Sequence, residues 1–167
     1  MRAPTTEELA LAPSRRVAQL APAACVEVLR GARDDAVLLW IGGRSAAQWR
    51  HEPWPVVWAL RALLYVWDGS GEAEVTACLT HEGWRVREMA AKVVLKRELP
   101  AGDLLAPLVR DEVPRVRIAA LRALGAVGDS EHADAVRYAL ADGVGEVQRV
   151  GAGALARMED RLDRSFD

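Results

Sequence analysis

HEPWPVVWALRALL at residues 51–64 is followed by HEGWRVREMAAKVV at 81–94, DEVPRVRIAALRAL at 111–124 and DGVGEVQRVGAGAL at 142–155. These are four copies of one phrase, starting at residues 51, 81, 111 and 142. Val56, Val86, Val116 and Val147 fall in register. So do Leu60, Ala90, Ala120 and Gly151, then Leu64, Val94, Leu124 and Leu155. The three columns stand at i, i+4 and i+8, which is one apolar stripe along a helix. Prolines sit near the predicted starts, at Pro53, Pro55 and Pro114, where a missing N–H costs nothing and φ is preset. A phrase copied at this period marks a stack of helical units, each burying its stripe against its neighbours.

A shorter second helix is expected after each of these A helices. GSGEAEVTACLT follows the first copy, PAGDLLAPLVRD the second and GDSEHADAVRYALAD the third. Asp103 reads as an N-cap in one, Asp129 or Ser130 in another. Leu104, Leu105, Leu108 and Val109 align with Ala135, Val136, Ala139 and Leu140. Glycines at 69, 71, 102, 125, 128 and 143 punctuate the turns. The first fifty residues fit less well. A helix is expected from Cys25, Val26, Val28 and Leu29 on through Val37–Leu39, with Arg44–Arg50 as a degenerate second helix. At the other end, Gly151 and Gly153 lie inside the last A helix, at a cost of about 1 kcal/mol each relative to Ala. Close approach of a neighbouring helix or a second subunit would explain them.

The 167 residues suit one domain, with 51% hydrophobic and 28% charged residues. Net charge is −2, so no global positive field draws the chain to nucleic acid or to an anionic membrane. Two cysteines, Cys25 and Cys78, do not make a disulfide framework. MRAPTTEELALAPSRR carries no apolar segment of the signal-peptide kind, and no apolar run approaches membrane-spanning length. A cytoplasmic protein is the expectation. Lys92 and Lys96 are the only lysines against many arginines, a bias that fits a GC-rich genome.

DEVPRVRIAALRALGAVGD resembles the short HEAT-like repeat of the phycobilisome-lyase type. Asp111, Val116, Arg117, Ala120, Leu124, Gly128 and Asp129 carry the resemblance, which covers roughly residues 51–158. The resemblance implies an all-α right-handed α-solenoid of four to five helix-pair HEAT-like repeats in a single domain. Residues 1–50 form a divergent first repeat or N-terminal cap. Repeats follow at 51–80, 81–110 and 111–141, and 142–167 form the final repeat and C-terminal cap. It further implies that the B helices line the concave face. An Asp–Arg ladder is also implied between repeats, surviving near Asp111, Arg117 and Asp142. The ladder decays where His51 and His81 replace the Asp and Val57 replaces the Arg.

The same N-terminal copies hold all six tryptophans, Trp40, Trp49, Trp54, Trp58, Trp67 and Trp84. Trp54 and Trp58 share a helix face, while Trp54 and Trp84 are equivalent in adjacent repeats, about 10 Å apart if stacked. Trp58 aligns with Glu88, Ile118 and Arg149, a column that tolerates charge and is therefore expected to face outward. An exposed indole is a typical binding anchor, whereas bulky indoles sealing the end of a core are the plainer alternative. His51, Glu52, Cys78, His81 and Glu82 match no zinc signature and read as caps and loops, so no metal is expected. No nucleophile elbow, P-loop or dinucleotide fingerprint is present, and no cofactor is expected.

These readings make a non-catalytic scaffold that holds another protein or peptide. Trp58 leads the contact residues, then Trp54 and Trp84, with His51 and His81 as polar neighbours. The alternative is a small-molecule binder or cofactor-independent enzyme, lyase-like or DNA-glycosylase-like. In it the indoles enclose a flat aromatic ligand and an acid such as Asp68 joins them.

Overall fold

The computed structural model describes residues 1–49 and 51–166. Among them are eleven α-helices joined by short turns, several of them 3-10, and no strand, an all-α helical-repeat fold of the solenoid class. The chain divides into two compact units, Met1–Ala77 and Cys78–Asp167.

The first unit holds α1 (Thr6–Ala10), α2 (Pro13–Val17), α3 (Pro22–Leu29), α4 (Asp35–Gly42), α5 (Trp54–Leu63) and α6 (Glu72–Ala77). The helix expected to run from Cys25 through Leu39 is two helices. Gly31 turns the chain at φ +104, and Asp34 starts α4 afresh by accepting the Val37 N–H at 3.0 Å. A glycine is the residue that tolerates that φ, and an Asp is a preferred cap. Residues 43–47, expected as a degenerate helix, form a 3-10 turn, and Arg50 lies outside the described residues. Both α3 and α4 pack on α5, whose face from Pro55 to Leu60 is wholly buried.

The second unit holds α7 (Trp84–Arg97), α8 (Gly102–Leu105), α9 (Pro114–Val127), α10 (Ala133–Tyr138) and α11 (Gly145–Leu162). Helix α9 packs between α7 and α11. The A helices α5, α7, α9 and α11 begin at residues 54, 84, 114 and 145, each three residues into its copy of the phrase. Their stripe is the core: Val86, Val116, Val147, Ala90, Ala120, Val94 and Leu124 are inaccessible to solvent. Each buried Val or Leu contributes roughly 1.5–3 kcal/mol. Leu64 and Leu155, in the outer copies, are only half-buried. Gly151 does admit a close neighbour, since a Cβ there would meet the Ala139 side chain at 3.0 Å, but Gly153 faces open space. Asp129 caps the turn before α10 as expected. Asp103 is not a cap; it sits in the first turn of α8, which Ala101 begins.

The aspartate that opens each of the last two repeats holds two things at once. Asp111 Oδ1 accepts the Val113 N–H at 2.9 Å, and Asp142 Oδ1 accepts the Val144 N–H at 2.9 Å. His81 makes the same turn with its ring, Nδ1 accepting the Gly83 N–H at 2.9 Å. The carboxylate of each Asp also takes the arginine of the preceding repeat. Arg87 Nε donates to Asp111 Oδ2 at 2.7 Å. Arg117 Nη2 donates to Asp142 Oδ1 at 2.9 Å, with Nε 2.8 Å from Oδ2 but out of line for a hydrogen bond. Each arginine also reaches back to its own repeat, Arg87 to the His81 carbonyl and Arg117 to the Asp111 carbonyl, both at 2.9 Å. Gln148 keeps that backward bond at 2.6 Å to the Asp142 carbonyl. The ladder therefore has one rung more than the sequence suggests, Arg87–Asp111.

Burial works to raise the Asp142 carboxyl, yet the Arg117 and Val144 hydrogen bonds and the Arg117 charge together hold it below the ordinary carboxylate value. A carboxyl lowered on folding adds stability above its unfolded pKa of about 3.9 and loses it as pH falls through the folded value. Urea unfolding across the acid range should therefore show a steeper loss of stability for wild type than for Asp142→Asn. At neutral pH, Arg117→Met should cost about 3 kcal/mol, because it strands a buried carboxylate.

Candidate functional site

In the first unit a row of aromatic rings runs from the 43–47 turn onto α5. Trp54 and Trp58, one helical turn apart, stack with centroids 6.4 Å apart and planes at 29°. Trp49 meets Trp54 edge-on at 6.1 Å and 61°. The His51 ring lies 5.8 Å from Trp49. These separations are those at which aromatic quadrupoles attract. With Ser45 and Arg61 the three indoles line a cavity of about 350 Å³.

Trp58 does not face outward. It is 8% exposed and lies flat against the last turn of α4, where a Cβ on Gly42 would come within 2.6 Å of the indole. The argument from its column fails for a physical reason. Glu88, its counterpart, is itself 6% exposed and is neutralised by Lys92 at 2.8 Å and Arg115 at 3.1 Å. At Glu88 the charge marks a buried, paired carboxylate rather than an exposed position. Trp54 is half-buried. The exposed ring is Trp49, at 47%, which lies before the repeat phrase and so was not singled out from the register. Its signal was a tryptophan in a polar, turn-forming segment.

The electrostatics beside this cavity are positive. Arg16 is buried, its Nε donating to the Trp40 carbonyl at 2.7 Å and its Nη1 to the Leu11 carbonyl at 3.3 Å. Gly43 permits this, at φ +61, since a Cβ there would sit 2.9 Å from the guanidinium. Burial lowers the Arg16 pKa, and the charge of Arg61 adds to the effect. Among the described residues no carboxylate lines the cavity. Asp68 in particular is not there: its carboxylate accepts from the Ser70 N–H and hydroxyl, hydrogen bonds that hold its pKa low. Cys25 is buried and its thiol is pushed up to about 12 by that burial, so it is no nucleophile.

Trp84 and His81 belong to the second unit. The Trp84 indole lies beneath the Arg85 guanidinium, 4.2 Å from the ring centre, with Arg115 at 5.7 Å. His81 is occupied by its turn. Glu52, in the first unit, pairs with Arg33. A different cluster, unforeseen in the sequence, brings ligand atoms of Asp103, Glu131 and His132 within 4.8 Å of one another. It fits a metal poorly. His132 Nδ1 accepts the Asp129 N–H at 2.9 Å, which puts the ring proton on Nε2, 3.2 Å from Asp103 Oδ1. A ligating imidazole needs that lone pair free and its other nitrogen donating. Here His132 tethers α8 to α10, its ring against Gly102.

The family model for HEAT repeats matches residues 73–156. No curated protein matches the chain. No helix among the described residues is long and apolar enough to cross a membrane.

Trp58→Ala should cost about 3–5 kcal/mol in urea denaturation, as for a large buried side chain. Trp49→Ala should stay within about 1 kcal/mol.

Proposed function

Because the chain belongs to the HEAT-repeat family, we propose that it is a non-catalytic scaffold that holds a protein or peptide on its tryptophan cluster. HEAT repeats commonly form protein-binding scaffolds. The observation that carries the reading is Trp49, an indole left 47% exposed that lines a cavity together with Trp54 and the buried Trp58. Water exclusion around a half-exposed aromatic anchor is how protein interfaces concentrate their affinity. A cavity of about 350 Å³ lies at the small end of ligand pockets, and it would take one side chain of a partner. Arg61 at its edge and the buried Arg16 charge favour an apolar or aromatic side chain flanked by an acidic residue. His51, beside Trp49, would lie at the rim. Trp58, buried and stacked on Trp54, supports that ring rather than making the contact itself.

A paired capture with wild type and Trp49→Ser as baits tests this, with bound proteins and small molecules both identified by mass spectrometry. The expected result is a protein retained by wild type and depleted at least about tenfold by Trp49→Ser, at unchanged melting temperature. A small aromatic molecule carried by wild type alone would replace the scaffold reading with that of a ligand pocket. Identical profiles from the two baits would remove the tryptophan cluster as the contact.

A further inference from the structure

Helices α9 and α11 enclose a second, quite different groove. Its volume is about 190 Å³, and Arg122 from α9 lines it with Arg149, Val150, Gly153, Ala154 and Arg157 from α11. Arg149, Gly153 and Arg157 stand at i, i+4 and i+8, on one face of their helix. Gly153 is midway between the two arginines, and in the repeat register it aligns with Arg122 and Lys92. Where the two preceding copies place a long cation, this copy places no side chain at all.

The fold does not account for that glycine. A Cβ at Gly153 meets nothing within 4 Å, and its φ is not left-handed, so neither packing nor backbone geometry requires it. Gly151, by contrast, packs closely on Ala139, where a Cβ would come within 3.0 Å of its side chain. What the missing side chain leaves is a depression lined by three arginines. Their charge is under-compensated. Glu146 Oε1 lies 4.0 Å from Arg122 and 3.7 Å from Arg149, and among the described residues no carboxylate is in ion-pair range of Arg157. Three cations against one carboxylate leave an excess of two positive charges around an open cavity, and their mutual repulsion is relieved by an anion.

We propose that this groove binds a phosphoryl dianion, with Arg122, Arg149 and Arg157 as its donors and Gly153 as the floor that lets the oxygens approach α11. The charge excess matches a dianion better than a single carboxylate. Guanidinium forks pair with phosphate oxygens in a bidentate way that a point cation does not. The phosphoryl group is either free phosphate or the phosphorylated side chain of a peptide, and both present the same oxygens.

The test titrates the full chain at low ionic strength with inorganic phosphate, a phosphoserine peptide and the same peptide carrying glutamate instead, by calorimetry and phosphorus NMR. Wild type is expected to bind both phosphoryl probes and to bind the glutamate peptide at least about tenfold more weakly. Arg122→Gln and Arg157→Gln should each weaken the phosphoryl probes about tenfold with unchanged melting. Tighter binding of the phosphoserine peptide than of phosphate identifies a modified partner segment as the source, and equal binding identifies free phosphate. Gly153→Leu separates ligand from fold, because it should raise the melting temperature while abolishing phosphate binding. Phosphate affinity unaffected by these three substitutions, absent in wild type, or equalled by the glutamate peptide would overturn the proposal.

Discussion

Every A helix of the second unit begins with amide groups that have no partner within the helix, and one residue per repeat answers for that. Asp111 and Asp142 each spend one oxygen closing the entry turn and offer their carboxylate to the arginine of the repeat before. That arginine in turn bonds the carbonyl of its own opening residue. Entry turn, helix start and inter-repeat spacing are thus fixed by one connected set of charged hydrogen bonds, held where solvent competes little. The apolar stripe supplies most of the burial energy, but it is slippery: valines, alanines and leucines in register could slide by a turn. The charged rung is directional and fixes that register.

The first unit lacks this device and uses volume instead. Val57 stands where the arginines stand, and indoles fill the space around α5. Trp58 against Gly42 and Arg16 against Gly43 are paired large-to-small contacts at consecutive positions, one apolar and one charged. Both depend on a backbone without a Cβ. The result is a rigid aromatic wall beside a buried cation, a surface of different character from the arginine-rich helix faces of the second unit.

The helical period, the 30-residue repeat and the starts of all four A helices were legible, because a stripe at i, i+4, i+8 has one solution and copies reinforce each other. The ladder was legible in part. Arg87–Asp111 was overlooked because His81 hid the equivalence of its repeat, although an imidazole nitrogen accepts an N–H much as a carboxylate oxygen does. The first fifty residues were not legible: a single divergent copy offers no register, and Gly31 with Asp34 divides what hydrophobicity alone presents as one helix. For the candidate site, the helical register placed Trp54 and Trp58 on one face, where they stack, but misjudged which indole is exposed. Alignment reports which positions share a place in the repeat, while exposure depends on what neighbouring elements lay over them. Glu88 beneath Lys92 and Arg115 is the instance that separates the two.

A rung joins the arginine of one repeat to the aspartate of the next, never two groups of the same copy. Excising residues 111–141 as a block would bring Arg87 opposite Asp142, the same pair of residue types in the same geometry. Losing half a repeat would leave a cation without its acid. The bonding pattern thus makes the whole copy the smallest length of chain that can be gained or lost without a chemical scar. The number of repeats is free to drift, while the residues at each junction are not.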